Sequence, residues 1–279
     1  MTIEQSARPK SSSRDRLTLT FGDDLDQRTA ILKVGGANLN REPYIQGLAN
    51  HVRSLVDDGM RVVVVHGGGA EIGALHEALD VPFRKIDGLR VTSESGMELT
   101  TQILCGSVNK RIVASFQEQG LRTLGLSGID LGLLHAELVD EKRLGRVGKV
   151  TRVAVGTLRG LLDAGIVCVL APVSTGPDGR PVNVNADAAA HAVATAIHAE
   201  RLDFVSDIQG VRTRVDCDEV AGRLCLAEAR ELVHDKQVVQ GGMRPKLEAA
   251  VFAVEGGVGR VRVGSLSSIA AGLATEITA

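Results

Sequence analysis

Two lysines stand where their surroundings argue against them. Lys33 interrupts the apolar run Ala30-Ile31-Leu32-Lys33-Val34, directly before Gly35-Gly36. Lys246 follows Gly241-Gly242-Met243-Arg244-Pro245 at the start of a helix-patterned segment, where a cation opposes the helix dipole by about 0.3–1 kcal/mol. Residues that break a local rule are pointers to function, and both of these sit beside a Gly-Gly pair. A glycine triplet, Gly67-Gly68-Gly69, follows Val62-Val63-Val64-Val65-His66. Glycine loses much freedom on ordering, so three in a row imply a demand on backbone shape or access. Their amides, at a helix N-terminus, would hold anionic oxygens; the alternative is a tight strand-to-helix turn and nothing more. Asn183, Asn185 and Asp187 precede an Ala-rich stretch. Any of them would serve as an N-cap, but one cap needs one such residue, and the surplus suggests polar groups facing a site. Arg90, in Asp87-Gly88-Leu89-Arg90-Val91-Thr92, has the fork that grips a carboxylate, or is a surface arginine. His66 reads as structural, because no Ser or Cys partner completes a nucleophilic triad.

These groups need a scaffold, and the chain supplies alternating elements. Short apolar strands are expected at 30–34, 61–65, 123–128, 167–173 and 201–207, with 260–265 as the last. Helical periodicity falls at 45–59, 70–79, 155–165, 187–200 and 246–257. Strands without polar alternation, flanked by helices, belong in a parallel sheet covered on both faces. The fold class is therefore α/β. Ligands bind such sheets beyond the carboxyl ends of the strands, where both glycine turns fall. Neither turn is a GxGxxG, since Ile72 takes the third glycine position, and the one Gly-Lys pair, Gly148-Lys149, is followed by Val150. The two best-known nucleotide fingerprints are absent. Residues 174–184, with Pro177-Asp178-Gly179, read as a hairpin between two halves, 28–175 and 176–279. Residues 1–27 are polar and serine-rich, a tail rather than core.

Bulk properties narrow the class. The 279 residues carry a net charge of -2 with both signs interspersed, which leaves no electrostatic case for nucleic acid or a membrane surface. Aromatics make up 2% with no Trp, too few for a platform that stacks bases. The four cysteines include no CxxC pair, so neither a zinc site nor a disulfide framework is expected. No apolar stretch approaches the roughly 20 residues of a membrane span, and a reducing, cytoplasmic setting is expected.

The order of these motifs resembles the amino-acid kinase family. Lys33 with Gly35-Gly36 is followed by His66-Gly67-Gly68-Gly69, then by the stretches around Arg90, Asn109-Lys110, Ser127, Gly145-Arg146, Asn183–Asp187, Asp207–Val211 and Gly242–Lys246, across residues 30–264. Within that family the set is similar to members that phosphorylate the γ-carboxylate of N-acetyl-L-glutamate with ATP. The resemblance implies an αβα three-layer sandwich with a mainly parallel central sheet. It also implies an N-terminal lobe for the acyl-amino acid, a C-terminal lobe for MgATP, and a homo-oligomer, dimer or larger.

Carried over residue by residue, the resemblance implies that Lys33 and Lys246 flank the moving phosphoryl and that Asp187 orients both. Gly36 and Gly68 would donate amides to the reacting oxygens. Gly68 and Gly69 would touch the substrate's side-chain carboxylate and acyl region, Arg90 its α-carboxylate, and Asn183 its amido end. Gly35, Ser127, Asp207, Gly210 and Lys246 would lie on the nucleotide side. Mg2+ would ride on the ATP phosphates, with no protein cage for a metal. A carboxylate is already nucleophilic, so what the enzyme has to do is align two anions and neutralise spreading charge. Two departures from the family pattern are Gly264-Ser265-Leu266-Ser267-Ser268 in place of an Asp-Gly-Arg-like turn, and Arg244 in place of an apolar residue. Rival readings are a kinase for an aminoadipate carried on a small protein and a non-catalytic ligand sensor. An intact glycine triplet and Asn183–Asp187 stretch disfavour the first; retention of Lys33, Asp187 and Lys246 disfavours the second.

Overall fold

The computed structural model describes residues 28–35, 38–86, 88–214, 219–235, 237–239 and 242–279. The tail expected over residues 1–27 and the proposed amide donor Gly36 lie outside them. The first half runs β1 (Thr29–Val34), α1 (Glu42–Asp57), β2 (Arg61–His66), α2 (Gly69–Ala78), β3 (Lys85–Ile86), β4 (Leu89–Arg90) and α3 (Glu94–Thr101). A π-helical stretch (Gln102–Val108) carries α3 into α4 (Asn109–Glu118). There follow β5 (Thr123–Ser127), β6 (Leu134–Leu138), α5 (Glu141–Leu144), β7 (Val147–Val153), α6 (Val155–Asp163), β8 (Val167–Ala171), β9 (Val173–Thr175) and β10 (Pro181–Val184). The remainder is α7 (Ala186–Ala196), β11 (Arg201–Ser206), β12 (Arg223–Cys225), α8 (Leu226–His234), α9 (Met243–Glu255), β13 (Arg260–Ser265), α10 (Leu266–Ala270) and β14 (Thr275–Thr278).

Eight strands form the central sheet in the order β12-β14-β13-β11-β1-β2-β8-β5. From β13 to β5 every pairing is parallel, with Lys33 between Val65 of β2 and Phe204 of β11. Side chains alternate across a strand, and β1 shows what each face holds. Ala30, Leu32 and Val34 pack with Ile45, Leu48 and Val52 of α1 and Ile112 of α4. Ile31 faces the other way, toward Ala189 and Val193 of α7 and Leu247 and Ala250 of α9. Lys33 shares the parity of Ile31, so it points into the α7–α9 layer. The helices on both faces make the architecture the three-layer α/β sandwich expected.

Two strand assignments need correction. The run 167–173 is not one strand: it breaks at Pro172 into β8 of the main sheet and β9 of a small closed sheet, β10-β7-β6-β9. Proline has no N–H to give a central ladder, which moves the chain from one sheet to the next. The turn in residues 174–184 is present, β9 pairing antiparallel with β10 and Gly179 taking φ 77°. Residues 260–265 are not the last strand, because β14 pairs antiparallel with β13 and parallel with β12. Its four residues offer one buried aliphatic side chain, Ile277, too little for a periodic signal.

The sheet also buries charge. Asp203 is fully buried in β11 and accepts Nε and Nη2 of Arg262 on neighbouring β13, at 2.7 and 2.8 Å. Removing one partner of a buried ion pair strands the other charge in low dielectric. Asp203→Ala is expected to lower unfolding stability by about 3–5 kcal/mol in a denaturant titration. A loss under about 1 kcal/mol, the scale of an exposed pair, would show that solvent reaches Arg262.

Candidate active site

The carboxyl ends of β1 and β2 open into a cleft of about 280 Å3, lined by Lys33, Gly67, Gly68, Gly69, Arg90, Asn183 and Asp187 among others. That is near the low end of ligand clefts, about 300–1,000 Å3, and suits a small molecule. The Lys33 ammonium meets the Asp187 carboxylate at 2.9 Å, with only 6% and 9% of the two side chains exposed. Asp187 is held there by its own helix. Asn185 caps α7, its Oδ1 accepting N–H of Asp187 at 2.8 Å and of Ala188 at 3.3 Å. The carboxylate thus lies in the first helical turn, where the dipole favours negative charge. The three polar residues of this stretch divide the labour: Asn185 caps, Asp187 faces the lysine, and Asn183 donates Nδ2 to Thr92 Oγ1 at 3.0 Å.

Lys246 joins the same constellation from α9. Its Nζ donates to Gly242 O at 3.3 Å. Burial, and then the nearby Lys33 ammonium, lower its pKa, while Asp187 and Asp207 work in the opposite sense. Two ammonium groups from distant parts of the chain therefore feel each other, with the Lys33–Asp187 pair in direct contact and Lys246 within its electrostatic reach. Like charges brought together in a partly desolvated place leave a field that favours an anion between them.

Arg90 stands in the opposite wall. Its Nη2 donates to Gly69 O at 2.8 Å and its guanidinium carbon lies 4.6 Å over the Phe83 ring, while Nη1 is buried without an acceptor. Burial lowers its pKa. Gly68 is the N-cap of α2, and φ of -170° there is extended backbone open to any residue. Space is what requires glycine: an added Cβ would stand 2.6 Å from Leu104 Cδ2 and 3.3 Å from Val108 Cγ2. As cap and first residue of α2, Gly68 and Gly69 carry amides outside the helix ladder.

The nucleotide-side candidates scatter. Gly35 follows β1 beside the cleft, half-buried, with room for a Cβ 3.9 Å from Val205 O. Asp207 follows β11, accepts Nδ2 of Asn38, and lines a second cavity of about 1050 Å3. Ser127 is not brought to the cleft: it ends β5 at the far edge of the sheet, its N and Oγ both donating to Asp130 Oδ2. Gly210 is explained by packing, since a Cβ would lie 2.2 Å from Val220 Cγ1 and 2.5 Å from Thr275 Oγ1. The two departures resolve locally: Ser265 caps α10 by accepting Ser268 N–H, and Arg244 pairs with Glu248 at 3.1 Å. Leu104 and Lys85 line the cleft although no motif pointed to them, and Thr92, at the end of the Arg90 stretch, joins the site through Asn183. Leu104 had no signal, because a π-helical stretch changes the facing of an otherwise regular helix.

Fold and site together define a class. The chain belongs to the amino acid kinase family, whose model matches residues 28–265. It is 41% identical over 253 residues to the acetylglutamate kinase of Methanopyrus kandleri, covering 88% of this chain and 99% of that one. The Listeria monocytogenes acetylglutamate kinase is 37% identical, covering 84% and 92%. Among solved structures, N-acetylglutamate synthase from Neisseria gonorrhoeae, complexed with coenzyme A and N-acetyl-glutamate, superposes with a TM-score of 0.78 at 26% identity, over 90% of this chain and 59% of that one.

Charge coupling between the two lysines is directly measurable. Lys33→Met removes one of the two influences lowering the Lys246 pKa, so that pKa is expected to rise. NMR titration of ε-13C-labelled lysine reads this shift, and an unmoved Lys246 would place the two ammonium groups apart.

Proposed function

We propose that this chain is an acetylglutamate kinase, transferring the γ-phosphoryl of ATP to the γ-carboxylate of N-acetyl-L-glutamate to give N-acetyl-L-glutamyl 5-phosphate and ADP in arginine biosynthesis. The observation that carries the reading is the buried Lys33–Asp187 pair beside the Gly68–Gly69 amides and Arg90, with Lys246 in electrostatic reach of both partners. In this reading Arg90, which lines the cleft, takes the α-carboxylate of the substrate, and Asn183 meets the amido group. The Gly68 amide holds an oxygen of the reacting γ-carboxylate. Lys33 and Lys246 stabilise negative charge on the phosphoryl in flight, strongest where water is excluded. Asp187 sets the positions of the ammonium groups and takes no proton, since the nucleophile is already a carboxylate.

Among the described residues no group of three His, Cys, Asp or Glu side chains gathers to hold a metal ion. Mg2+ would arrive on the nucleotide phosphates, where it neutralises charge on their oxygens. Among the described residues no helix is long and apolar enough to cross a membrane. The family resemblance further supports a homo-oligomer, dimer or larger.

A hydroxamate assay with ATP, Mg2+ and N-acetyl-L-glutamate is expected to report the acyl phosphate; silence with this acid and turnover of another would reassign the substrate. Lys246→Ala is expected to lower kcat at least about 100-fold, the scale of losing one oxyanion stabiliser. Wild-type turnover by a folded variant would remove that lysine from the chemistry. Arg90→Lys is expected mainly to raise KM for the amino acid, because the two-armed fork is lost. An unchanged KM would assign the arginine elsewhere.

A further inference from the structure

His66 closes β2 with its side chain fully buried, immediately before the glycine triplet. Its Nδ1 lies 3.1 Å from Gly67 O, and its Nε2 lies 3.2 Å from Nδ2 of Asn109. The Asn109 amide orientation is fixed independently of the histidine. One Nδ2 hydrogen goes to Val169 O at 2.9 Å and the other faces both Leu126 O at 3.3 Å and the imidazole, while Oδ1 accepts Lys110 Nζ at 3.1 Å. Carbonyls only accept and ammonium groups only donate, so Nδ2 is the face turned to the imidazole. A proton on Nε2 would point at that NH2. The ring is therefore neutral with its proton on Nδ1, and Nδ1–H donates to Gly67 O. Burial agrees, pushing the imidazole pKa down to about 4.

The carbonyl of Gly67 and the amide of Gly68 belong to one planar trans peptide. Holding the oxygen toward the buried imidazole turns the N–H the opposite way, toward the cleft that Gly67 and Gly68 line. The preceding peptide is fixed as well, Gly67 N–H donating to Val34 O at 3.0 Å. We propose that His66, locked in one tautomer by Asn109, is a positioning residue that aims the Gly68 amide at the reacting carboxylate. The inference rests on the substrate-side role given above to Gly68. It also accounts for Gly125, where a Cβ would stand 2.0 Å from Asn109 Oδ1 and displace the amide.

Three variants and two readouts test it. His66→Leu removes the donor, His66→Asn returns an N–H near the Nδ1 position, and Asn109→Leu frees the tautomer. With N-acetyl-L-glutamate, His66→Leu is expected to lower kcat about 10–100-fold, somewhat less than outright loss of an oxyanion donor. Its KM should stay within about threefold of wild type, since Arg90 and Asn183 are untouched, and His66→Asn should recover kcat to within about fivefold. Equal impairment of the Leu and Asn variants, or wild-type kcat in a folded Leu variant, would overturn the proposal. NMR of 15N-labelled protein supplies the readout that does not depend on the substrate. His66 should show a protonated Nδ1 and bare Nε2 from pH 5 to 8, and Asn109→Leu should mix the tautomers. The Gly68 amide resonance should move in His66→Leu and return in His66→Asn. A proton on Nε2, or an unmoved Gly68 resonance, sinks the inference even if another acid proves to be the substrate. Turnover of that other acid with the NMR pattern intact would retire only the substrate assignment.

Discussion

A buried lysine–carboxylate pair, Lys33 with Asp187, and a second, half-buried ammonium group beside it form the arrangement around which the rest of the molecule is organised. A lysine in the middle of a sheet is expensive unless something opposes its charge, and Asp187 at 2.9 Å does so for Lys33. The pKa of Lys246 falls because burial and Lys33 both disfavour its charge, with Asp187 and Asp207 acting in the opposite sense. Locally this is an unfavourable design. In the proposed reaction it becomes favourable when a polyanion enters, because charges that repel each other attract an anionic group placed between them.

The positions of these groups follow from strand parity. Lys33 faces the α7–α9 layer because Ile31, two residues earlier, does so, and because Ala30, Leu32 and Val34 are committed to α1 and α4. A one-residue slip of β1 would turn the lysine into the other layer, away from Asp187. The α7 N-cap gives the complementary constraint. Asn185 fixes where the helix begins, and Asp187 falls two residues later, in its first turn and against the strand. Register on one side and capping on the other set a contact that neither element could set alone.

Much of this was legible in the amino-acid sequence, and the exceptions have physical causes. Buried parallel strands announce themselves as short, largely aliphatic runs, so β1, β2, β5, β8, β11 and β13 could be read even with Lys33, Asp203 and Arg262 inside three of them. The small sheet of β6, β7, β9 and β10 could not: its strands mix Glu137, Lys149, Thr151 and Arg152 with aliphatic residues, and one of them begins directly after Pro172. In the site, Lys33 and Lys246 stood out because each offends its own surroundings. Thr92 and Leu104 offend nothing locally, and contacts between distant segments put them there. Ser127 and Gly210 were read from motif position alone. The structure gives both a local explanation, a turn in one case and close packing in the other.

The glycine triplet shows how one motif can meet two demands that sequence alone does not separate. At Gly68 the side-chain direction is filled by Leu104 and Val108, so a larger residue would push the turn off its place. The amide direction is a separate matter, because removing a side chain opens room without choosing where an N–H points. Glycine by itself would leave that peptide freer than any other residue would. Some other group has to supply the orientation, and the group adjoining it is an imidazole in the core, held by an asparagine that bridges to β5 and β8. Burial suits such a role, since a histidine exposed at the cleft would titrate near neutral pH and change its hydrogen-bonding partners as it did so. Kept neutral in the core, it presents one donor and one acceptor over the whole physiological range, and the backbone in front of it inherits that constancy.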